Sequence, residues 1–315
     1  MQDIDIGKQI HDKIVNQGLL KNTVVLGNAL IDMYAKCAAL LKAQEVFDAL
    51  LVRNVVSWNI LIVGYAQQEQ GQEVLRCFQQ MQSQGFSPDV VTYACILKAC
   101  GIMQNVEVGK QIHDEIVSQG LLKNVMLGNA LVGMYAKCGV LLKAQEVFDA
   151  LPVRDAVSWN ELIVGYSQQG QGQEALRCFH RMRSEGFSPN VVSWTALVKG
   201  YAQQGLAKEA LDSFQWMQQV RITPDAIIFI NVLNACSHSG LIDEGQMYFD
   251  SMRKKYGLTP NEEHYTCMVD LFGRARRFDK ALRVIRMMPS SDHPSVWSAL
   301  LGACRGNVKL GRLAF

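Results

Sequence analysis

At 315 residues, 49% of them apolar and 19% charged, the chain has the composition of a cored protein and not of a disordered one. A net charge of +2 is too small for a protein that holds nucleic acid mainly by bulk electrostatics, so any anionic partner must be gripped locally. No run reaches the roughly 20 continuous apolar residues that cross a bilayer, and the opening Met1-Gln2-Asp3-Ile4-Asp5 is acidic, unlike a secretory or organelle-targeting leader, so the chain reads as soluble or as cut from something longer.

Taken in chain order, the segments repeat. Gly-Lys-Gln-Ile-His at 7–11 returns at 109–113, Gly-Asn-Ala-Leu-Ile-Asp-Met-Tyr-Ala-Lys-Cys at 27–37 returns with two changes at 128–138, and Val-Ser-Trp-Asn at 56–59 returns at 157–160. Phe-Ser-Pro-Asp at 86–89 likewise returns as Phe-Ser-Pro-Asn at 187–190. A long unit is therefore duplicated, and within it lie shorter related units at 24–54, 55–89 and 90–124, each with two apolar-periodic segments and a break. Self-similarity on this scale predicts helical hairpins. In 55–89 the first segment, from Ser57 to about Gln67, carries Ile60, Leu61, Gly64 and Tyr65; the second, from about Gln72, carries Val74, Leu75, Phe78 and Met81. Gly71 is expected to loosen the corner, Gly85 to take a left-handed C-terminal cap, and Pro88 to stop the helix. One such pair cannot bury both stripes, so hairpins must stack into an all-α solenoid superhelix with a concave inner face.

The nine cysteines follow the repeat and not a metal or disulfide pattern. Cys37 and Cys138 each close Met-Tyr-Ala-Lys-Cys, Cys77 and Cys178 each sit in Leu-Arg-Cys-Phe, and no Cys-x-x-Cys occurs. They read as reduced, buried thiols used as small hydrophobes. Two apparent chemical motifs dissolve in the same way. His113-Asp114-Glu115 matches half of a zinc-deaminase signature, but its repeat partner is His11-Asp12-Lys13 and no Pro-Cys-x-x-Cys follows. Gly170-x-Gly172-x-x-Ala175 fits a dinucleotide loop but has no preceding strand. His180, His238, His264 and His293 show no metal spacing, and no nucleophile and base are linked by a readable motif. The sequence thus predicts no metal, no cofactor and no catalysis within this chain.

Within each unit the second and fifth residues lie three apart at the start of the first helix and face the same way, while the fifth meets the unit's last residue where one hairpin hands over to the next. The fifth and last residues are Asn28 with Asn54, Asn59 with Asp89, Asn129 with Asp155, Asn160 with Asn190 and Thr195 with Asp225. These compact side chains carry donors and acceptors suited to a base edge; equally, Asp or Asn just before a helix is what an N-cap needs, and the two roles can coexist. The second residues Val25, Val56, Val91, Met126, Val157, Val192 and Ile227 are apolar, which fits either a core or an exposed apolar wall. Lys36 and Lys137 hold the thirteenth place of their units and Arg274 the same place near the end, positioned either to meet phosphates or simply to favour a helix C-terminus.

Tandem 35-residue units with a 31-residue variant resemble pentatricopeptide repeat proteins, specifically the plant subclass that alternates P, L and S repeats. Val-Val-Ser-Trp-Asn-Ile-Leu-Ile-Val-Gly-Tyr (55–65) is similar to a P-type opening, the segment at 27–37 to an S-type opening, and Val-Gly-Lys-Gln-Ile-His (108–113) to the second helix of an L repeat. Residues 234–245 and 263–275 resemble the final L and S repeats, and Val-Trp-Ser-Ala-Leu-Leu-Gly-Ala-Cys (296–304) the start of an extension motif. The order is a partial L repeat (1–23), S (24–54), P (55–89), L (90–124), S (125–155), P (156–190), a second P-like repeat (191–225), final L (226–261), final S (262–293) and a truncated extension (294–315). The chain thus begins inside a repeat.

The resemblance implies that the fifth and last residues read one RNA base per repeat while consecutive second residues sandwich it. The family's code assigns uracil to Asn with Asp, cytosine or uracil to Asn with Asn, and guanine to Thr with Asp, with RNA parallel to the protein. From residue 24 this gives pyrimidine, U, any base, U, C or U, then G. The L repeats (Ala94 with Asn124, Ile230 with Asn261) lack a usable pair, and Thr266 with His293 departs from the strong combinations. By resemblance the chain is an adaptor for C-to-U editing of single-stranded organellar RNA in mitochondria or chloroplasts. Editing cofactor proteins would sit on the L repeats, a deaminase would come from outside these residues, and no membrane is involved. An RNA stabilising or processing factor uses the same binding mode, and a tetratricopeptide-like protein scaffold is the alternative of another class.

Overall fold

The computed structural model describes residues 2–19, 23–288 and 294–303. Among them are 18 α-helices and no strand. After α1 (Gln2–Asn16), helices alternate between the first and second members of successive pairs. The first members are α2 (Val24–Lys36), α4 (Val55–Gln67), α6 (Val90–Met103), α8 (Val125–Lys137), α10 (Ala156–Gln168), α12 (Val191–Gln203), α14 (Ala226–Ser239) and α16 (Glu262–Arg274). Their partners are α3 (Leu40–Ala49), α5 (Gly71–Ser83), α7 (Val106–Ser118), α9 (Leu141–Ala150), α11 (Gly172–Ser184), α13 (Ala207–Gln219), α15 (Ile242–Lys254) and α17 (Phe278–Arg286), and α18 (Pro294–Ala303) follows. The chain divides into two compact units, 1–161 and 162–315. In the first, α2 packs on α4, α4 on α6 and α6 on α8, while α3, α5 and α7 each lie between their own partner and the next first helix. In the second, α12, α14, α16 and α18 follow one another in the same way. Each unit is an α-solenoid of helix-turn-helix repeats.

The stacking is legible in the side chains. α4 buries Trp58, Leu61, Ile62 and Tyr65, and α5 buries Val74, Cys77, Phe78 and Met81. Both sets have the spacing of a single helical stripe. Ile60 and Leu75, expected on that stripe, are only half-buried, because the stripe turns about Trp58 and Cys77. One contact recurs at three joints: the Phe of a second helix meets edge-on the Trp of the next first helix. Ring centroids are 4.6 Å apart for Phe47 and Trp58, 4.5 Å for Phe148 and Trp159, and 4.6 Å for Phe179 and Trp194. Arg53 and Arg154 reinforce it in the two 31-residue units. Each lies over its Phe ring and donates through Nε to the Phe carbonyl at 3.0 Å, closing the second helix early. The eight described cysteines are free and half-buried or buried, and burial pushes the Cys77, Cys100, Cys236 and Cys267 thiols up to about 12.

The corner between α4 and α5 differs from expectation. Gly85 has φ +80 after α5, as a left-handed cap requires, but the left-handed residue of the corner is Glu69 at φ 56, not Gly71. Gly71 opens α5, where an added Cβ would lie 2.8 Å from Met103 Cγ, so a close approach explains it. In the duplicate, the residue equivalent to Glu69 is Gly170, at φ 70. Glu69→Gly should therefore raise stability by about 0.5–1 kcal/mol in urea unfolding, and Gly170→Glu should lower it comparably.

Candidate functional site

From Asn54 to Asn261 the last residue of each repeat caps the helix that follows, whereas Thr23 before α2 makes no side-chain cap. The backbone N–H of Ser57 donates to Asn54 Oδ1 at 3.0 Å, that of Thr92 to Asp89 at 3.0 Å, and that of Ser158 to Asp155 at 2.9 Å. In the second unit, Ser193 donates to Asn190 at 3.2 Å, Ile228 to Asp225 at 2.9 Å and His264 to Asn261 at 3.3 Å; Asn124 caps α8 similarly. Each such cap is worth about 1 kcal/mol. Capping leaves these groups free for a second task at two places. Asn59 Nδ2 donates to the other oxygen of Asp89 at 2.8 Å, and Asn129 Nδ2 donates to Asp155 Oδ1 at 3.1 Å. Burial raises the Asp155 pKa, but the Ser158 N–H, the Asn129 amide and the Ser158 hydroxyl outweigh it and hold the carboxyl below its usual range.

Two of the other positions carry an oxygen with no partner. Asn28 is 9% exposed and its Oδ1 is buried without a hydrogen-bond partner, as is Thr195 Oγ1. Asn160 is buried at the end of the first unit, and Asn190 caps α12 in the second. Thr266 Oγ1 donates to its own helix at Glu262 O, 2.9 Å away, and its expected partner His293 lies outside the described residues.

The seven second residues are not core. Val25, Val56, Val91, Met126, Val157, Val192 and Ile227 are between 40 and 73% exposed, although all but Val25 precede a buried third residue. Two clefts in the first unit join these walls to the polar pairs. One, of about 380 Å³, is lined by Val56 and Val91, with Asn59 and Asp89 between them and Lys36 at its side. The other, of about 570 Å³, is lined by Met126 and Val157, with Asn129 and Asp155 between them and Lys98, Lys137 and Glu161 around them. Two apolar walls, a hydrogen-bonding floor and a cation recur together. Such a cleft suits a flat heteroaromatic ring bearing donors and acceptors and attached to an anion.

The charges around the clefts add what the sequence reading missed. Lys36 is ion-paired with Asp32 at 2.7 Å, and Arg274 with Asp270 at 2.7 Å, a partnership visible in the four-residue spacing. In the duplicate, Gly133 replaces Asp32, and Glu161, which stands where the first copy has Ile60, takes up the space; a Cβ on Gly133 would lie 2.5 Å from its Oε2. Burial raises the Glu161 pKa, with Lys137 opposing. The His113-Asp114-Glu115 triplet is spent on joints between helices: His113 Nδ1 lies 2.9 Å from Tyr135 Oη, and Tyr93 Oη donates to Glu115 at 3.1 Å.

The profile of the PPR repeat family matches residues 53–101, 154–202 and 189–229, and that of the PPR repeat matches 227–256 and 263–293. The chain belongs to the pentatricopeptide repeat family. It is 37% identical over 312 residues to the chloroplastic pentatricopeptide repeat-containing protein CRR2 of Arabidopsis thaliana, covering 98% of this chain and 42% of that one. A putative mitochondrial pentatricopeptide repeat-containing protein of the same plant is 36% identical, covering 98% and 44%. The chain spans less than half the length of these relatives. Its fold resembles that of the pentatricopeptide repeat protein PPR10 in complex with an 18-nucleotide psaJ RNA element, with a TM-score of 0.77 at 19% identity, over 99% of this chain and 47% of that one.

One of the third residues is a histidine. His264 stands where Ser57, Ser158 and Ser193 stand, fully buried; the Asn261 N–H donates to Nδ1 at 3.2 Å, which assigns the proton to Nε2, 2.9 Å from Ala226 O. Burial lowers its pKa, as burial and Lys143 lower that of His113. A depressed histidine stabilises the fold above its unfolded pKa of about 6.5, and that stability is lost as the pH falls below it. The urea midpoint should therefore fall between pH 7 and pH 5, and in His264→Ser the fall should be smaller.

Proposed function

We propose that the chain binds single-stranded RNA, one nucleotide per repeat, as the specificity element of a PLS-type pentatricopeptide repeat protein in C-to-U editing. The observation that carries the reading is the recurrence of one composite cleft: Val56 and Val91 around Asn59 and Asp89 beside Lys36, then Met126 and Val157 around Asn129 and Asp155 beside Lys137. A base entering between the walls excludes water from the floor, so a mismatched base leaves buried polar groups unpaired, at about 1–3 kcal/mol. The lone Asn28 Oδ1 and Thr195 Oγ1 are oxygens for which a base edge supplies the missing partner.

The repeats follow the boundaries at 24, 55, 90, 125, 156, 191, 226 and 262, with the pairs Asn160–Asn190 and Thr195–Asp225 completing the series. Lys36, Lys137 and Arg274 meet phosphates, Lys36 and Arg274 by exchanging an aspartate for the backbone of the RNA. A cytidine placed just beyond the final S repeat would be the edited base, and the deaminase acts from outside these residues, on a further part of the protein or on a partner. The relatives named chloroplastic and mitochondrial support an organelle as the site of action.

Selection from a random RNA pool at fixed salt tests this. The expected product contains U, any base, then U on the first unit, and Asn59→Thr should move the first of these from U to G by about tenfold or more while leaving the second unchanged. A pool that yields no preferred sequence, or one that Asn59→Thr leaves unaltered, would refute the reading.

A further inference from the structure

The reading asparagines share a neighbour outside the fifth, last and second positions. The third residue of the following unit is Ser57 after Asn28, Thr92 after Asn59, Ser158 after Asn129 and Ser193 after Asn160. Where the fifth residue is Ala94, Thr195, Ile230 or Thr266, the corresponding third residue is Leu127, Ile228, His264 or Val296. A hydroxyl follows every carboxamide and none of the alternatives.

The geometry gives the reason. Thr92 Oγ1 donates to Asn59 Oδ1 at 2.6 Å, and Ser158 Oγ donates to Asn129 Oδ1 at 2.5 Å; both hydroxyl-bearing residues are fully buried. Each hydroxyl in turn accepts the backbone N–H of the capping residue, from Asp89 at 3.2 Å and from Asp155 at 3.1 Å. That N–H can only donate, so a lone pair of the hydroxyl is committed to it and the hydroxyl proton goes to an acceptor. Of the acceptors in reach of Thr92, Asn59 Oδ1 is closer than Asp89 Oδ1 at 3.1 Å. The far end of the carboxamide is fixed too, because Nδ2 donates to the aspartate. A carboxamide turned end for end would set its oxygen against a carboxylate. At Asn28 the chain of bonds is absent: the Ser57 hydroxyl donates to Asn54 Oδ1 at 3.0 Å, and Asn28 Oδ1 has no partner.

We propose that Thr92 and Ser158 are positioning residues that fix the carboxamides of Asn59 and Asn129 in one orientation, so that each offers an N–H and not an oxygen to the base; this rests on the RNA reading above. Uracil presents an acceptor oxygen where cytosine presents an amino donor, so orientation of a carboxamide is what separates the two. Asn28, which is not held, accepts both pyrimidines.

The test compares Thr92→Val, which removes the hydroxyl at constant shape, with Thr92→Ser, which keeps it. Affinities are measured for RNA pairs that differ only as U or C opposite Asn59, and for pairs that differ opposite Asn129. In Thr92→Val the preference for U should shrink about three- to tenfold opposite Asn59, the worth of one hydrogen bond, and stay constant opposite Asn129, while Thr92→Ser retains it. Ser158→Ala should do the reverse, and serves as the second variant should Thr92→Val fold poorly. A weakened helix cap would lower affinity for all four RNAs alike. An unchanged preference, or an equal loss at both nucleotides, overturns the positioning role. Absence of any U-over-C preference in the unsubstituted chain instead overturns the RNA reading itself, and the inference with it.

Discussion

The fold and its candidate function both depend on one hydrogen bond repeated along the chain, from the backbone N–H of a unit's third residue to the side-chain oxygen of the residue that closes the unit before. It satisfies a donor that a helix start would otherwise leave bare, and it fixes where each first helix begins. It also anchors a carboxylate or carboxamide at the joint between hairpins. Where the closing residue is Asp89 or Asp155, a second interaction reaches back to Asn59 or Asn129. The structural role and the proposed recognition role therefore reside in the same atoms, and a substitution at the closing residue alters helix initiation and the polar floor together.

Helical geometry then sets the rest of the cleft. At about 100° per residue, the second and fifth positions point one way while the third and fourth turn into the protein. Thr92 and Tyr93 are buried in α6, and Val91 beside them is 40% exposed. In α4 the buried fourth residue is Trp58, whose edge-on packing against Phe47 locks the hairpin to its predecessor. Phe148 packs on Trp159 in the same way beside the Val157 wall, so there core packing and the position of a cleft wall are set together.

Much of this was legible in the sequence. Duplication over 101 residues, stripes of helical period and closing Asn or Asp residues announce an all-α repeat fold, because they depend on local order along the chain. The legible part stops where a side chain answers to another hairpin. The exchange of Asp32 for Gly133 beside Glu161 depends on a neighbour in space, whereas the ion pairs of Lys36 and Arg274 lie within single helices at a spacing the sequence displays. The choice between core and wall for the seven second residues was likewise open, since apolar identity alone does not say which side of a helix a neighbouring hairpin covers.

The central claim is that a nucleobase enters between consecutive apolar walls. The most direct measurement is methyl NMR of the valines during titration with single-stranded RNA. Ring currents should move the methyls of Val56, Val91 and Val157 strongly upfield, while the buried Val74 and Val132 stay in place. Saturable RNA binding that leaves the wall methyls unmoved, or that shifts residues on the second helices in their stead, would contradict it.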